Sequence, residues 1–519
     1  MSNLGFLSIF CQISCAPLAS CERVFLPPKD EIAEMKRRRS PLTSYESKKP
    51  VNKFDLLAFS ISFENDYVNI VKMLDLASIP HYAEERNENH PLVIAGGIAT
   101  FLNPEPIADF VDLFLLGDSP DMVNEFIEIY AELHATMPRD ELIKELSKIK
   151  GVYSPSLYIV EYNDDKTIKH FRAIEGKTHH VDVQIAKNLS AHPAYSHIIS
   201  KSALFSDMFL IEISRGCKRF CRFCAAGYNY QPYKKLSFDE IKEIIQKHSS
   251  DKKIGLVSAA VSDFKDIDKL SEFLVNEGKK FSVSSFRADS LSDTLLASLK
   301  ASGHKTLTIA PEAGSQRMRD IIGKDISEED ILSAAKRIAD AGILNVKLYY
   351  IIGLPFETDD DVTAIVTLTK NIRDIFLEAS KKLKRAGKVS VSMHPFIPKP
   401  KTPFFFKGMD DEKSLKKKVK MVSNALKKEP NIKIEGLSLK EATLEALLAR
   451  GTRELSKLLV LMSEGKSLRE ASKEALVDVD FYARRDIAPD ETLPFDFIRS
   501  KIKKTFLIKE YEKAKEIAE

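Results

Sequence analysis

The sequence predicts an α/β protein built from βα units in series, ending in a mainly helical stretch. Three observations carry this. From Phe205 onward, short apolar runs alternate regularly with helical patterns, and strands are expected at Phe209 to Ile213, Ile254 to Ser258, Phe281 to Ser285, Thr306 to Ile309, Val346 to Ile352 and Val389 to Met393. Six such units imply a parallel barrel or partial barrel whose loops for chemistry lie at the carboxyl ends of the strands. An earlier strand–helix–strand pattern ends its strands in glycine, at Gly96-Gly97 and Gly117-Asp118, which argues for a second, parallel sheet. The chain of 519 residues, 44% hydrophobic and 29% charged, is long enough for two or three domains with their own cores.

The elements follow in order. Residues 1–150 read as a βα domain, with strands at Phe54 to Ser62, Leu92 to Ala95 and Leu113 to Leu116, and helices at Tyr67 to Leu76, Met122 to His134 and Asp140 to Ile149. Residues 151–204 read as a connector with a hairpin, because Leu157 to Tyr162 and Thr167 to Phe171 flank the turn Asn163-Asp164-Asp165. His170, His179, His180, His192 and His197 lie in or after it. They have no carboxylate or thiol at a metal-ligand spacing and read as surface histidines. Residues 205–405 hold the six βα units, with capping-box starts at Ser237/Glu240 and Ser327/Asp330. The run His394 to Pro403 closes them, since its four prolines prevent regular helix. Residues 406–519 read as mainly helical. Asp410 to Lys428 forms a basic helix docked by Leu415, Val419, Val422 and Leu426 with its lysines on the polar face, and Asn431 to Leu437 adds a strand.

A net charge of +3 gives no global field for nucleic acid or an anionic membrane. There is no apolar run long enough to span a bilayer and no secretory leader, so a cytoplasmic protein is expected. The six cysteines form two groups and not a disulfide framework. Cys11, Cys15 and Cys21 read as buried free thiols, because they crowd into a partly apolar segment.

The second group carries chemistry. Cys217, Cys221 and Cys224 form C-x3-C-x2-C on a glycine-bounded loop directly after the first strand of the series. Three thiolates so spaced can converge on one soft metal centre, and three ligands leave one iron of a cubane cluster free for a small molecule. A zinc knot is the competing reading. It normally needs four ligands, and His248, the next candidate, sits in a helical pattern.

These cysteines, with Phe223 before the last, resemble the signature of the radical S-adenosylmethionine superfamily. The resemblance implies a (βα)6 partial TIM barrel, a 4Fe-4S cluster, and S-adenosylmethionine chelated at the free iron. Residues 1–150 resemble the Rossmann-type, cobalamin-binding-like domain that precedes many such cores. Through Cys21-Glu-Arg-Val-Phe-Leu-Pro27, Phe59-Ser-Ile-Ser62 and Gly96 to Pro106 the chain also looks like an uncharacterised subgroup. Cobalamin is thereby admitted as a ligand, although the D-x-H-x-x-G that supplies a cobalt-ligating histidine is absent. The start, Met1-Ser-Asn-Leu-Gly5, looks like the turn after a first strand in the subgroup, so that strand is expected to be missing or to precede the assigned start.

The resemblance extends to the other strand ends. Glu312 and Ser315 match E-x-G-S near the ribose and methionyl carboxylate, Lys324 lies where relatives carry a basic residue for that carboxylate, and Gly353 matches the motif beside the adenine, with Phe356 replacing a second glycine. Ser258, Ser285 and Arg287 end the second and third strands and complete the candidate cofactor contacts; Ser258-Ala-Ala260 replaces the glycine-rich amino-group motif. Glu312 and Arg287 could instead cap a helix or join a barrel ion pair, and Glu357 could be only a helix N-terminal acid, but their joint placement on one face with the cysteine loop favours the cofactor reading. No catalytic side chain is assignable beyond the cluster. Arg215, Lys218, Arg219, Arg222, Lys234 and Lys235 could dock an acidic electron donor such as flavodoxin or ferredoxin, or be ordinary surface charge. The expected function is reductive cleavage of S-adenosylmethionine for hydrogen abstraction from an unknown substrate. Cobalamin-dependent methyl or methylthio transfer and a non-catalytic iron-sulfur redox or binding protein are the alternatives, and RNA as substrate stays open.

Overall fold

The computed structural model describes residues 3–519 except 175, 177, 202, 284, 285 and 437. The chain divides into two compact units, one of residues 1–4, 188–442 and 504–519 and one of residues 5–187 and 443–503.

In the second unit, β1 (Leu56–Ser60), β2 (Leu92–Gly96), β3 (Leu113–Leu115) and β4 (Val152–Tyr153) form one sheet in that order, parallel until β4 pairs antiparallel with β3. β2 and β3 are near-continuous apolar runs because helices and loops cover both faces of a parallel sheet. The hairpin Tyr158–Tyr162 and Ile168–Ala173 forms as expected. Two further helices, Leu4–Ser14 and Lys29–Arg38, precede β1. Cys11, Cys15 and Cys21 are free thiols, but Cys15 is exposed and the other two only half-buried, because the first helix buries Leu7 and leaves its end uncovered.

The polar residues of the Gly96 to Pro106 motif are spent on this fold. The Glu105 carboxylate, 1% exposed, accepts from Arg453 at 2.8 Å and from the Tyr153 hydroxyl at 2.5 Å. Asn103 Nδ2 donates to the carbonyls of Ala449 and Gly451 at 3.1 and 2.9 Å. Residues 443–503 are thus seated by charge and amide pairing as well as by apolar burial. Replacing Asn103 with alanine strands two buried carbonyls and should cost about 1–3 kcal/mol, read as a lower denaturation midpoint with an unchanged m value.

In the first unit, β5 (Met208–Glu212), β6 (Lys253–Val257) and β7 (Phe281–Val283) form a parallel sheet in the order β7-β6-β5. A second sheet runs β8 (Thr306–Glu312), β9 (Asn345–Ile352), β10 (Lys388–Pro395) and β11 (Ile432–Glu435), all parallel. A parallel bridge from Phe286 to Ile309 joins the two, so the strands follow one another as a partial barrel. The strand expected near Asn431 supplies β11, a seventh member. Helices between strands start on capping boxes at Ser237, Ser327 and Thr358. The basic helix, Glu412–Leu426, buries Leu415, Val422 and Leu426, and it also buries Lys418 in place of a fully solvated lysine face. No helix among the described residues is long and apolar enough to cross a membrane.

Candidate functional site

The cysteine loop is shaped by its backbone. Gly216 takes φ +85°, and a Cβ there would lie 2.4 Å from the Tyr230 carbonyl, so only glycine lets the chain turn off the strand at this point. Gln231 Nε2 donates to the carbonyls of Cys217 and Gly227, the Tyr228 hydroxyl to that of Phe220, and the Cys224 N–H to that of Cys221. Arg222 anchors the middle of the loop from outside. Its N–H donates to the Ile322 carbonyl and its guanidinium to those of Asp320 and Ile321, while Glu510 pairs with it at 3.2 Å.

The three thiols are near enough to act on one another electrostatically. Burial, with Cys217 and Cys224 adding to it, pushes Cys221 up to about 12 against the pull of Lys324, and burial pushes Cys224 up as well. Loading metal must therefore expel protons from the loop. Among the described residues no three His, Cys, Asp or Glu side chains converge tightly enough to hold a single ion, and all five connector histidines are exposed. Nearby carboxylates are already engaged: Asp263 by Arg219 at 2.8 Å, Asp289 by Arg287 at 3.0 Å and Glu312 by Lys324 at 3.0 Å. A cluster that takes one thiolate per iron fits this donor set better than a mononuclear metal.

The other expected residues fall into two groups. Glu312 and Lys324 sit beside the thiols, on which both act electrostatically, and Glu312 adopts φ +65° at the bulged end of β8. Burial pulls the Lys324 ammonium down, but Glu312 and Cys221 outweigh it and hold the group above its ordinary value. Arg287, 7% exposed, spends its guanidinium on Asp289 and on the carbonyls of Lys324 and Asp325, so it supports the Lys324 turn. Ser315 caps the following helix through the Met318 N–H and donates to Asp361, and the Ser258 hydroxyl pairs with Ser214 at 2.7 Å. Phe223 packs on a cluster formed by Met318, Ile321, Leu354, Phe396 and Phe404. Ser285 lies outside the described residues.

Gly353 takes φ +77°, and its N–H donates to Glu357 at 2.8 Å. Phe356 also takes positive φ, +68°, the conformation in which a glycine would be relaxed. Glu357 is no simple helix-end acid: its side chain is 2% exposed and paired with Lys418 at 3.0 Å, and Asp410 holds the same ammonium at 2.7 Å. Burial raises Glu357 from 4.5 to about 6, because desolvation outweighs the help of Lys418. Between those values the folded chain binds more protons than the unfolded one, so stability falls as pH rises, by about 2 kcal/mol in all. The variant Glu357→Gln should flatten that descent in denaturant melts taken across the window.

Two features escaped the sequence reading. Arg319 is fully buried and donates to the carbonyls of Ala313, Gly314 and Ile326, tying the Glu312 loop to the Lys324 turn. Its helix, Gln316–Ile321, is mostly polar and holds a second arginine, so nothing in the sequence marks this one as buried. The C-terminal helix, Lys504–Ala518, packs along this rim: Phe506 meets Phe220 and Tyr228, Glu510 meets Arg222, Tyr511 meets Phe356 and Phe406, and Arg317 donates to the Ala518 carbonyl. Of the basic loop residues, Arg215 pairs with Glu212, Arg219 with Asp263, Arg222 with Glu510 and Lys235 with Asp266, so most of that charge is balanced within the chain. Lys218 lies exposed over the Tyr233 ring.

In the sheet unit, the glycine-ended strands are filled by the chain itself. A Cβ at Gly97 would lie 2.3 Å from the Ile61 carbonyl, and one at Gly117 would lie 1.9 Å from that of Gln184. A cobalamin held there would have no histidine from the D-x-H-x-x-G motif, which the sequence lacks.

Residues 211–369 match the family described as the radical SAM superfamily, and residues 5–155 match that described as the N-terminal domain of radical SAM proteins. An uncharacterised protein of Methanocaldococcus jannaschii is 33% identical over 435 residues, which cover 82% of this chain and 85% of the relative. Among solved structures, the cobalamin-dependent S-adenosylmethionine radical enzyme OxsB is similar at 14% identity and TM-score 0.45, covering 74% of this chain and 53% of its own. The radical S-adenosylmethionine methyltransferase TsrM of Kitasatospora setae is similar at 12% identity and TM-score 0.47, covering 75% and 70%. This chain therefore spans about half the length of the OxsB chain. The matched families and the thiol loop agree, and the chain belongs to the radical S-adenosylmethionine superfamily, whose cofactors are a 4Fe-4S cluster and S-adenosylmethionine.

Proposed function

We propose that the protein is a radical S-adenosylmethionine enzyme in which Cys217, Cys221 and Cys224 hold three irons of the cluster and leave the fourth for S-adenosylmethionine. The observation that carries the reading is the buried Glu312–Lys324 pair beside three thiols on one loop. When bound and given one electron by a reductant such as flavodoxin or ferredoxin, these cofactors supply methionine and a 5′-deoxyadenosyl radical able to take a hydrogen atom from substrate. The chain's own part is to bind and orient. Lys324 presents a fixed positive charge to the methionyl carboxylate. Glu312 offers the ribose an acceptor, and Gly353 keeps the backbone close to the adenine. Phe223, Ser258 and Ser315 complete the wall, with Arg287 and Arg319 bracing Lys324.

The test is anaerobic reconstitution of the full chain with iron and sulfide, followed by dithionite and S-adenosylmethionine. Release of 5′-deoxyadenosine is expected. An intact cluster that yields neither 5′-deoxyadenosine nor S-adenosylhomocysteine would show an iron-sulfur binding protein instead, whereas S-adenosylhomocysteine together with cobalamin absorption would show methyl transfer.

A further inference from the structure

The barrel strands hold polar groups that this reading does not use. On β9, Val346, Leu348 and Tyr350 are fully buried, so Lys347 and Tyr349 between them face the other side of the sheet. Register sets Lys347 beside Ser390 and Tyr349 beside Ser392 on β10, and these serines beside Lys433 and Glu435 on β11. Because β10 carries only serine at both positions, the Lys347 side chain passes over it and pairs with Glu435, two strands away, at 2.6 Å. The same ammonium lies 5.0 Å from the Tyr349 ring centre. His394, two residues beyond Ser392, is exposed, meets the Tyr349 ring at 5.9 Å, and has Nε2 3.1 Å from the Ser392 hydroxyl.

In closed parallel barrels this inner face is packed with branched apolar side chains. Here it is polar and reachable by water, with the Lys347 and Glu435 side chains 27% and 31% exposed. It leads to the strand ends where Glu312, in register with Tyr350, stands beside the thiols. The pair holds both of its members charged: the contact with Glu435 raises Lys347, and the contact with Lys347 lowers Glu435.

We propose that Lys347, Tyr349, Ser392, His394 and Glu435 form the substrate-binding wall of the barrel, and that it takes a small amphoteric molecule with a carboxylate against Lys347 and an ammonium against Glu435. This deepens the radical-enzyme reading and rests on it. A polyanion would meet Glu435, and an apolar molecule would desolvate an ion pair and return nothing. A head group that bears both charges exchanges one ion pair for two. The charged ends of Lys347 and Glu435 lie 2.6 Å apart, and the two charges of an α-amino acid sit on one carbon, so a single head group can engage both side chains. His394 and Tyr349, nearer the carboxyl ends, would meet the rest of the molecule.

The test uses the full chain, reconstituted anaerobically and saturated with S-adenosylmethionine, with the protein L-amino acids added one at a time and binding followed by saturation-transfer NMR. At least one should bind, while its N-acetyl amide, which lacks both charges, should not. Lys347→Met and Glu435→Gln should each weaken binding about tenfold or more, with cluster content and S-adenosylmethionine affinity unchanged. His394→Ala, at an exposed position, should weaken it without altering the melting temperature. The proposal is overturned if no amino acid binds the loaded protein, or if the bound one is indifferent to all three variants, which would leave Lys347–Glu435 a brace for β11. Failure of S-adenosylmethionine itself to bind the wild-type cluster protein would overturn the parent reading and this one with it.

Discussion

Replacing Cys221 with alanine is expected to leave a folded protein that cannot retain a cluster. Iron and sulfide after reconstitution should fall to background, and S-adenosylmethionine cleavage should drop at least a hundredfold. That figure is a floor, since loss of outer-shell support alone costs about 10–100-fold. The reason lies in the ligand supply. The carboxylates around the loop are each engaged by a cation: Asp263 by Arg219, Asp289 by Arg287 and Glu312 by Lys324. To recruit one as a replacement ligand would mean breaking an ion pair and leaving a charge partly buried. Folding should survive, because the Cys221 thiol is 8% exposed and, raised to about 12, neutral in the free protein, so alanine removes one small apolar atom. Cys217→Ala and Cys224→Ala should behave alike, while Cys11→Ala, Cys15→Ala and Cys21→Ala should keep the full iron content. Retention of iron, sulfide and the cluster's electron paramagnetic resonance signal by Cys221→Ala would sink the assignment.

Local signals account for what was legible in the sequence. The apolar runs of the barrel are long and each ends in a recognisable loop, so the expected strand at Val346 to Ile352 appears as Asn345–Ile352, and the capping boxes at Ser237 and Ser327 both form. The thiols were legible because spacing within one loop is a sequence property. What escaped was tertiary pairing. A helical pattern at the C-terminus shows an apolar face but not what it covers, and nothing around Phe506 and Glu510 announces Phe220 and Arg222 nearly three hundred residues earlier. Lys418 looked like one more lysine of a polar face, because its carboxylate partners Glu357 and Asp410 come from other turns of the chain. The close approaches at Gly97 and Gly117 were equally invisible, because the space of the missing side chain is taken by Ile61 and Gln184 from other parts of the chain.

Lys324 and Glu312 pose the remaining question, whether they serve the fold or the cofactor, and a double-mutant cycle separates the two. Lys324→Met leaves the Glu312 carboxylate without its partner in a site where the lysine side chain is 10% exposed and the glutamate 16%. Removing one member of so buried a pair costs about 3–5 kcal/mol, mainly as the penalty on the charge left behind. Glu312→Gln should cost less, since the Gln amide oxygen can still accept from Lys324. In the double variant no unpaired charge remains, so most of the stability should return. Affinity for S-adenosylmethionine should not, because the cation for its carboxylate is gone. Equilibrium dialysis with labelled S-adenosylmethionine should show a loss of about 10–100-fold in both Lys324→Met and the double variant, the 1.5–3 kcal/mol of a charge-assisted hydrogen bond. If affinity recovers along with stability, the pair is a strut of the loop and the cofactor carboxylate is held elsewhere.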